Sequence, residues 1–283
     1  MKAGPGSSRL KAIRLKSMST TNPGAIDRNF ASFQKAVASV VPSVHFMDNG
    51  IVQRLVTDIN VSMFNGIVSA TIPHGFEESA VREQVEFFTQ ERRPWRWTVG
   101  PSSSPSNLGS FLENQGLEVA VDCPGMVLEM SDRPRAWPQP GNGSVKVVED
   151  TGALLEWCEF VQSIFGVPLA FIEQFKAYHA VVGFTPASRT YYVTGVEQGK
   201  PVSASMVYLD PDDIAGVYCV GTLAESRRQG WGSALVGLCL QEAYDQGCRA
   251  AVLTTTDIGQ GVYESLGFHE VCRVRHYRFS EPN

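Results

Sequence analysis

A glycine-rich turn lies between a predicted strand and a predicted long helix, and it reads Arg227-Arg228-Gln229-Gly230-Trp231-Gly232-Ser233. Glycines at positions 230 and 232 let the backbone turn tightly, so that several N–H groups point in one direction. The first N–H groups of the following helix lack intrahelical partners, and the helix dipole favours negative charge there. With two arginines in front of it, the turn is therefore predicted to bind a phosphate or diphosphate group.

This turn differs from two common nucleotide-binding motifs. The dinucleotide pattern needs a third glycine where this chain has Leu235, and the nucleoside-triphosphate loop needs a lysine that is absent here. Taken alone, the turn is equally consistent with an ordinary strand-to-helix connection. Its meaning depends on the elements around it.

Regular elements are predicted on both sides of the turn. In chain order they are strand 145–148, helix 151–165, helix 169–181, strands 190–196, 201–209 and 215–222, helix 232–245, strand 250–255, a short helix ending near Leu266, and strand 271–279. The order β-α-α-β-β-β-α-β-α-β predicts an α/β fold, of the α+β kind, with a mixed sheet and helices on both faces.

The turn and a second motif downstream resemble the GCN5-related N-acetyltransferase (GNAT) family. Arg227, Gly230 and Gly232 match the family signature Arg/Gln-x-x-Gly-x-Gly/Ala at this strand–helix junction, and residues 263–268 match its Tyr-x-x-x-Gly-Phe ending. The resemblance covers about residues 144–279. It implies a GNAT-like fold and an acyl-CoA-dependent N-acyltransferase that uses acetyl-CoA as its co-substrate.

The resemblance also implies roles for individual residues. The strand would pair its backbone with the pantetheine arm, the turn would hold the pyrophosphate, and Tyr263 would protonate the departing CoA thiolate, a general-acid role. Alone, Tyr263 would be interpreted as a core aromatic residue on a short helix. The implied cofactor-binding residues are Val220, Gly221, Thr222, Arg227, Arg228, Gln229, Gly230, Trp231, Gly232 and Ser233.

A general base is not identified by the sequence. Glu225, Glu156 and Glu159 are candidates, but many family members deprotonate the amine through water, so no carboxylate is required in contact. The chain also departs from the family at Thr256, where related sequences often have an asparagine, which puts a hydrogen bond from this loop to CoA in doubt.

A proline- and glycine-rich segment divides the chain. Residues 131–143 cannot propagate a helix or a central strand, so we expect a linker there, between an N-terminal domain at 21–130 and a catalytic domain at 144–283. Residues 1–17 carry five basic residues and no acidic residue. We interpret residues 1–20 as a disordered basic leader, with a targeting peptide or an upstream mis-assigned start before Met18 as alternatives.

The N-terminal half resembles a degenerate second copy of the same fold. Residues 66–72 parallel 216–222, a helix is predicted at 77–91 and a strand at 96–99, and residues 109–117 parallel 261–268. In that register Leu112 stands where Tyr263 stands, and the glycine turn is replaced by residues 73–78, which include two acids. We therefore expect a tandem GNAT protein with a degenerate N-terminal domain; an unrelated α/β domain is the alternative. Trp95, Trp97 and Phe64 are candidates to line an acceptor pocket, although core packing suits all three.

Composition narrows the class of protein. The net charge of −5 argues against a nucleic-acid-binding protein, and no stretch has the ~20 apolar residues that a membrane-spanning helix needs. The six cysteines and five histidines show no metal-ligand spacing, which predicts no metal site and a reducing, cytoplasmic location.

The family resemblance implies an N-acetyltransferase in which an amine, most simply a small molecule, attacks acetyl-CoA directly. A protein lysine or N-terminal acetyltransferase and a non-catalytic CoA-binding sensor are the two alternatives. The sequence does not identify the acceptor amine, the preferred acyl chain or the oligomeric state.

Overall fold

The computed structural model describes residues 21–134, 136–140, 142–183 and 188–279. The predicted leader at 1–20 lies outside these residues. The described helices are α1 (Ala25–Ala38), α2 (Glu77–Glu91), α3 (Leu108–Asn114), α4 (Thr151–Phe165), α5 (Ile172–Val182), α6 (Trp231–Asp245) and α7 (Gln260–Ser265). The described strands are β1 (His45–Asp48), β2 (Val52–Val56), β3 (Gly66–Ala70), β4 (Arg96–Val99), β5 (Leu117–Glu129), β6 (Ser144–Val147), β7 (Thr190–Glu197), β8 (Lys200–Leu209), β9 (Ile214–Thr222), β10 (Ala250–Thr254) and β11 (His269–Phe279).

The predicted element order of the C-terminal half is confirmed, and with it the mixed α/β fold class. Helix α4 shows why the local sequence sets its bounds. The Asp150 carboxylate accepts a hydrogen bond from the N–H of Ala153 at 2.8 Å, which caps the first turn. Gly166 ends the helix in the left-handed conformation, with φ at 67°. One difference lies at 169–171, which form a short 3-10 helix before α5.

All eleven described strands belong to one sheet, in the order β1-β2-β3-β4-β11-β5-β10-β9-β8-β7-β6. The last strand of the chain, β11, lies between β4 and β5, which come from the N-terminal half. Strand β5 in turn pairs with β10 of the C-terminal half. Each half thus contributes its last strand to the other, an exchange that the sequence patterns did not reveal.

The sheet has an approximate two-fold arrangement about the β5/β11 pair. On one side β3 and β4 run parallel, and on the other side β9 and β10 do the same. In each parallel pair a long helix, α2 or α6, connects the two strands. A short helix, α3 or α7, then follows the second strand. Both short helices lead into a glycine with positive φ, Gly116 at 84° and Gly267 at 98°. The structure therefore contains two copies of one fold, as the parallel segments of the two halves of the sequence predicted.

Helix α1 of the N-terminal half packs into a core that both halves build. The Asn29 side chain, fully buried, donates to the Asp210 carboxylate at 3.0 Å and to the Ile214 carbonyl at 2.9 Å. Phe33 stacks on Tyr218 of β9, with ring centroids 5.5 Å apart. This buried cluster joins the N-terminal half to the C-terminal half across the sheet face.

None of the described helices is both long enough and apolar enough to cross a membrane.

We expect the two halves to depend on each other for folding, because β11 completes the sheet of both. The full chain should unfold in one cooperative transition, measured by circular dichroism on heating. Residues 144–283 expressed alone, without β5, should fail to give that transition, and so should a chain truncated after Phe268. A chain truncated after Phe279 retains β11 and is the control. A native-like transition in the isolated C-terminal half would contradict this dependence.

Candidate active site

Strands β9 and β10 diverge and leave one edge of β9 open. They pair only over Ile214–Gly216 with Ala250–Val252. From Val217 to Thr222 the other edge of β9 pairs with β8, but the edge towards β10 has no strand partner in the described part of the chain. A strand edge without a partner presents N–H and C=O groups that an extended ligand can bind.

A β-bulge reshapes this open edge. Cys219 and Val220 together lie opposite the single residue Ser205 of β8. The backbone of Cys219 has a φ of 54°, which is uncommon for residues other than glycine. After the bulge, the Ser203 hydroxyl donates to the Gly221 carbonyl at 2.8 Å, which holds the end of β9 in place. The predicted pantetheine-binding residues Val220, Gly221 and Thr222 are therefore on a partly exposed, well-supported edge.

The predicted phosphate turn presents six backbone donors together. The N–H groups of residues 228–233 make no hydrogen bond to any other described residue, and the first helical bond is Ala234 N–H to the Gly230 carbonyl, at 3.0 Å. Gly230 has φ at 85°, which L-residues with side chains rarely adopt. Free donors at the N-terminus of a 15-residue helix form a site that fits a diphosphate.

The side chains of this turn divide into two groups. Those of Arg227, Arg228 and Gln229 are exposed, and the Arg227 Nε donates to the Thr222 carbonyl at 3.2 Å, which links the turn to β9. The Trp231 indole is buried in the core against Gly195, so Trp231 can contribute only its backbone N–H to a ligand. The half-buried Gly232 and Ser233 follow it in the first turn of α6.

Tyr263 lies on α7, beside the start of α6. Its ring packs edge-on against Phe268 with centroids 5.9 Å apart, and only 8% of the residue is exposed. Burial raises the pKa of the Tyr263 hydroxyl to about 12, partly offset by a hydrogen bond with the Thr255 side chain. The hydroxyl is therefore protonated at neutral pH, as a proton donor must be. Val262, next to it, lies 3.8 Å from the position that a Cβ on Gly232 would take, so the two motifs adjoin.

The loop after β10 uses its polar side chains locally. The Thr256 hydroxyl accepts a hydrogen bond from the Gly259 N–H at 3.3 Å, and Asp257 forms an ion pair with Arg273 at 3.2 Å. Ile258, which follows Asp257, is 98% exposed. The position where family members often have asparagine is thus engaged within its own loop.

Cys219 and His179 are unsuited to act as a nucleophile and a base. Burial raises the pKa of the Cys219 thiol to about 12, so the thiol stays protonated, and burial lowers the pKa of His179 to about 3, so that ring is neutral. Of the candidate carboxylates, Glu159 pairs with Lys176 at 2.8 Å, while Glu156 and Glu225 are exposed.

Two apolar residues at the end of α4 adjoin the site, and the sequence did not single them out. A Cβ on Gly221 would lie 2.8 Å from Ile164 and 3.4 Å from Phe165, so both side chains pack directly on the end of β9. Phe165 is 41% exposed. The signal that the sequence offered is an apolar pair directly before the helix-ending Gly166.

In the N-terminal copy, the cleft that corresponds to the open β9 edge is filled by the chain itself. The Ser104 N–H donates to the Ala70 carbonyl at 3.0 Å, and the Ile72 N–H donates to the Ser104 carbonyl at 2.9 Å. Ser104 thus forms a parallel bridge with Thr71 at the end of β3. The backbone groups that are open in β9 are satisfied internally in its counterpart.

The N-terminus of α2, the counterpart of the phosphate turn, is likewise occupied. The Glu77 carboxylate accepts a hydrogen bond from the Gly75 N–H at 2.7 Å and lies 3.3 Å from the His74 ring nitrogen. A hydrogen bond from its own N–H, together with those from Gly75 and His74, lowers the pKa of the Glu77 carboxyl. A carboxylate of the chain therefore sits where a bound phosphate would have to lie. Trp95 and Trp97, candidates to line a pocket, are buried in the core of this half, and Phe64 packs against Phe175 and Tyr178.

Three comparisons relate this chain to known proteins. Residues 149–268 match the model of the Acetyltransferase (GNAT) family. No significant match was found among curated protein sequences. No group of three or more metal-ligating side chains was found in the described ranges.

Solved structures share the fold over nearly the whole chain. A GCN5-related N-acetyltransferase from Kribbella flavida is 20% identical, with a TM-score of 0.69 over 92% of this chain and 98% of that one. A GCN5-related N-acetyltransferase from Sphaerobacter thermophilus is 16% identical, with a TM-score of 0.62 over 91% and 93%. A tandem GNAT protein from the clavulanic acid biosynthesis pathway is 12% identical, with a TM-score of 0.60 over 93% and 97%. At these identities the likeness is one of fold.

Gly232 offers a test of the phosphate turn that spares the fold. Because a Cβ there meets no atom closer than 3.8 Å, we expect Gly232→Ala to fold and to bind CoA much as the original chain does. Gly232→Glu places a negative charge among the six free N–H groups and should weaken CoA binding by ~10-fold or more. Isothermal titration with CoA measures both, and circular dichroism checks the fold. Equal affinity of the two variants would mean that the diphosphate binds elsewhere.

Proposed function

We propose that this chain is an acetyl-CoA-dependent N-acetyltransferase whose C-terminal GNAT domain transfers an acetyl group to a small-molecule amine. The proposal rests on two features that occur together, an open β9 edge and six free N–H groups at the start of α6. The same two positions are filled by the chain itself in the N-terminal copy. We therefore place the single acetyl-transfer site in the C-terminal half.

The fit to acetyl-CoA rests on two matched features. An extended pantetheine arm has amide groups that pair with free backbone groups, as an added strand does. A pyrophosphate carries negative charge that suits backbone N–H groups at a helix N-terminus and the exposed guanidinium groups of Arg227 and Arg228. The Arg227 link to the Thr222 carbonyl fixes the turn relative to the strand, so one ligand can reach both.

The chemistry follows from the placement of Tyr263. When an amine attacks the thioester carbonyl, the C–S bond breaks and the sulfur leaves with a pair of electrons. A positioned acid that protonates this sulfur makes it a better leaving group. Tyr263 is the candidate acid, since its hydroxyl is protonated at neutral pH and its helix adjoins the turn. Free N–H groups on the β9 edge would stabilise the developing oxyanion.

Direct attack by the amine is favoured over a covalent acyl-enzyme. The thiol on β9, Cys219, has its pKa raised to about 12 by burial, so it lacks the thiolate character of a nucleophilic cysteine. The buried ring of His179 packs among four aromatic side chains of the core, those of Trp157, Phe175, Tyr178 and Tyr192.

The setting of β9 supports a small acceptor. Helix α1 of the N-terminal half covers part of its face through Phe33 and Tyr218, and Ile164 and Phe165 flank its end. A site bounded in this way by two halves suits a compact amine with an apolar portion better than the surface of a folded protein. Acetylation of protein lysines or N-termini, and CoA sensing without catalysis, are the alternatives that the assay must separate.

The assay uses radiolabelled acetyl-CoA, a panel of small amines, and a cell lysate. We expect label in a small amine, with initial-rate lines that intersect as a ternary complex requires. Label that accumulates in protein instead would favour the protein acetyltransferase. CoA binding without turnover of any acceptor would favour the sensor, and parallel lines would contradict direct attack.

Tyr263→Phe tests the acid. Loss of the hydroxyl should lower kcat by ~10²-fold or more while CoA affinity changes little, because the ring still packs on Phe268. Tyr244→Phe removes the hydroxyl of an exposed tyrosine on α6 and is the matched control. Unchanged kcat in Tyr263→Phe would remove Tyr263 from this role.

The pH profile gives a second check on Tyr263. An acid must be protonated to act, so its contribution is lost only as pH rises through its pKa of about 12. We expect kcat/KM to rise with pH as the acceptor amine loses its proton, and then to stay level to pH ~10, still below the raised tyrosine pKa. A fall in this range that is present in the original chain and absent in Tyr263→Phe would contradict the raised pKa.

A further inference from the structure

One face of α6 is covered by the linker that joins the two halves of the chain. Near the C-terminal end of the helix, the guanidinium carbon of Arg133 lies 3.3 Å from the centre of the Tyr244 ring. At the other end, a Cβ built on Gly230 would lie 3.6 Å from the Gln139 carbonyl oxygen. The linker therefore runs antiparallel to α6 and reaches the turn that carries the six free N–H groups.

Trp137 makes the central contact between the linker and the helix. Its indole Nε1 donates to the side-chain oxygen of Gln241 at 3.2 Å. A Cβ built on Gly237 would lie 2.7 Å from the Trp137 Cβ and 2.9 Å from its Cγ, which is closer than such atoms approach in proteins. Apart from proline, glycine is the least favourable residue for the middle of a helix. At position 237 it allows Trp137 to pack directly against the α6 backbone.

The α6 residues that contact the linker share one face of the helix. They are Gly230, Gly237, Gln241 and Tyr244. Leu235 and Cys239 lie two positions from Gly237, about 200° around the helix, and both are fully buried in the core cluster beside the sheet. The sheet and the linker therefore hold α6 from opposite sides.

The length of the linker matches that of the helix it covers. Between Gly230 and Tyr244 the helix rises ~21 Å, at 1.5 Å per residue. Residues 133–140 include three prolines. A proline-rich extended chain covers ~3.1 Å per residue, or ~22 Å between the first and last of these positions. An extended segment of this length therefore spans the helix without slack.

We propose that the linker positions the phosphate turn for the diphosphate of CoA, and that Trp137 is the positioning residue through which it acts. Backbone groups that are already held in their binding arrangement lose less freedom when the ligand arrives, so the affinity is higher. The linker follows β5 and the 3-10 helix Met130–Asp132, so it also ties the turn to the central strand pair of the sheet. This role rests on the proposed function, because it concerns the same CoA site.

Two variants test the role of the linker by isothermal titration with CoA. Gly237→Ala places a methyl group where Trp137 lies and displaces the linker, although alanine favours the helix itself. Trp137→Ala removes the ring. We expect each change to weaken CoA binding by ~10-fold, with the fold checked by circular dichroism. Gly152→Ala, the same change at an exposed position of α4, is the matched control and should leave the CoA affinity unchanged.

A comparison with pantetheine separates positioning of the turn from a general loss of structure. Pantetheine lacks the diphosphate, so its weaker binding, followed by NMR titration, should be equal in the original chain and in both variants. Trp137→Phe keeps an aromatic ring against Gly237 and should retain most of the CoA affinity. Equal losses of affinity for CoA and pantetheine would overturn the positioning role, and so would unchanged CoA affinity in folded Gly237→Ala.

A measurement on the original chain requires no variant to fold. If the docked linker raises the affinity for CoA, bound CoA must stabilise the docked linker by the same factor. Trypsin cleaves after arginine, and Arg135 lies within the linker sequence. Saturating CoA should therefore slow cleavage at this bond by up to ~10-fold, because the linker must leave α6 to enter the protease.

The outcomes of this measurement distinguish the two proposals. Equal cleavage rates with and without saturating CoA would overturn the role of the linker and leave the acetyltransferase proposal in place. Failure of the original chain to bind CoA at all would overturn the proposed function, and the role of the linker with it.

Discussion

The antiparallel pairing of β5 with β11 is the interaction on which the rest of the structure depends. Through it the last strand of each half enters the sheet of the other half, so eleven strands form one sheet. The Asp122 carboxylate strengthens the pair by accepting from Arg273 at 2.8 Å and from Arg275 at 3.0 Å. Strand β10, which lies beside the open β9 edge, pairs with β5 of the N-terminal half. The position of β10 therefore depends on the other half of the chain.

The two copies of the fold use the same positions in opposite ways. In the C-terminal copy, the strand edge and the helix N-terminus leave backbone groups free, and these are the groups that acetyl-CoA would bind. In the N-terminal copy, Ser104 pairs with the strand edge, and the Glu77 carboxylate accepts a hydrogen bond from the Gly75 N–H just before α2. Backbone groups that the chain itself satisfies are not available to a ligand, so these two positions of the N-terminal copy lack the free groups present in the C-terminal copy.

The N-terminal copy makes structural contacts with the C-terminal strands. Its helix α1 places Asn29 and Phe33 against the C-terminal strands, and its β4 borders the exchanged strand β11. A change in this half can therefore alter the active site without touching it.

The sequence by itself determined the local parts of the site. The glycines at 230 and 232, the arginines before them and the Tyr-x-x-x-Gly-Phe ending predicted the turn, the helix and the family, because backbone freedom and helix dipoles act over a few residues. The copy in the N-terminal half was also predicted, since Gly116 and Gly267 stand at equivalent helix ends. Only the tertiary structure decided the strand exchange, the role of α1, the contact of Ile164 and Phe165 with β9, and the burial of the Trp231 ring. These depend on contacts between residues more than 30 positions apart, such as Trp231 with Gly195 and Asn29 with Asp210, and no local pattern encodes such a pairing.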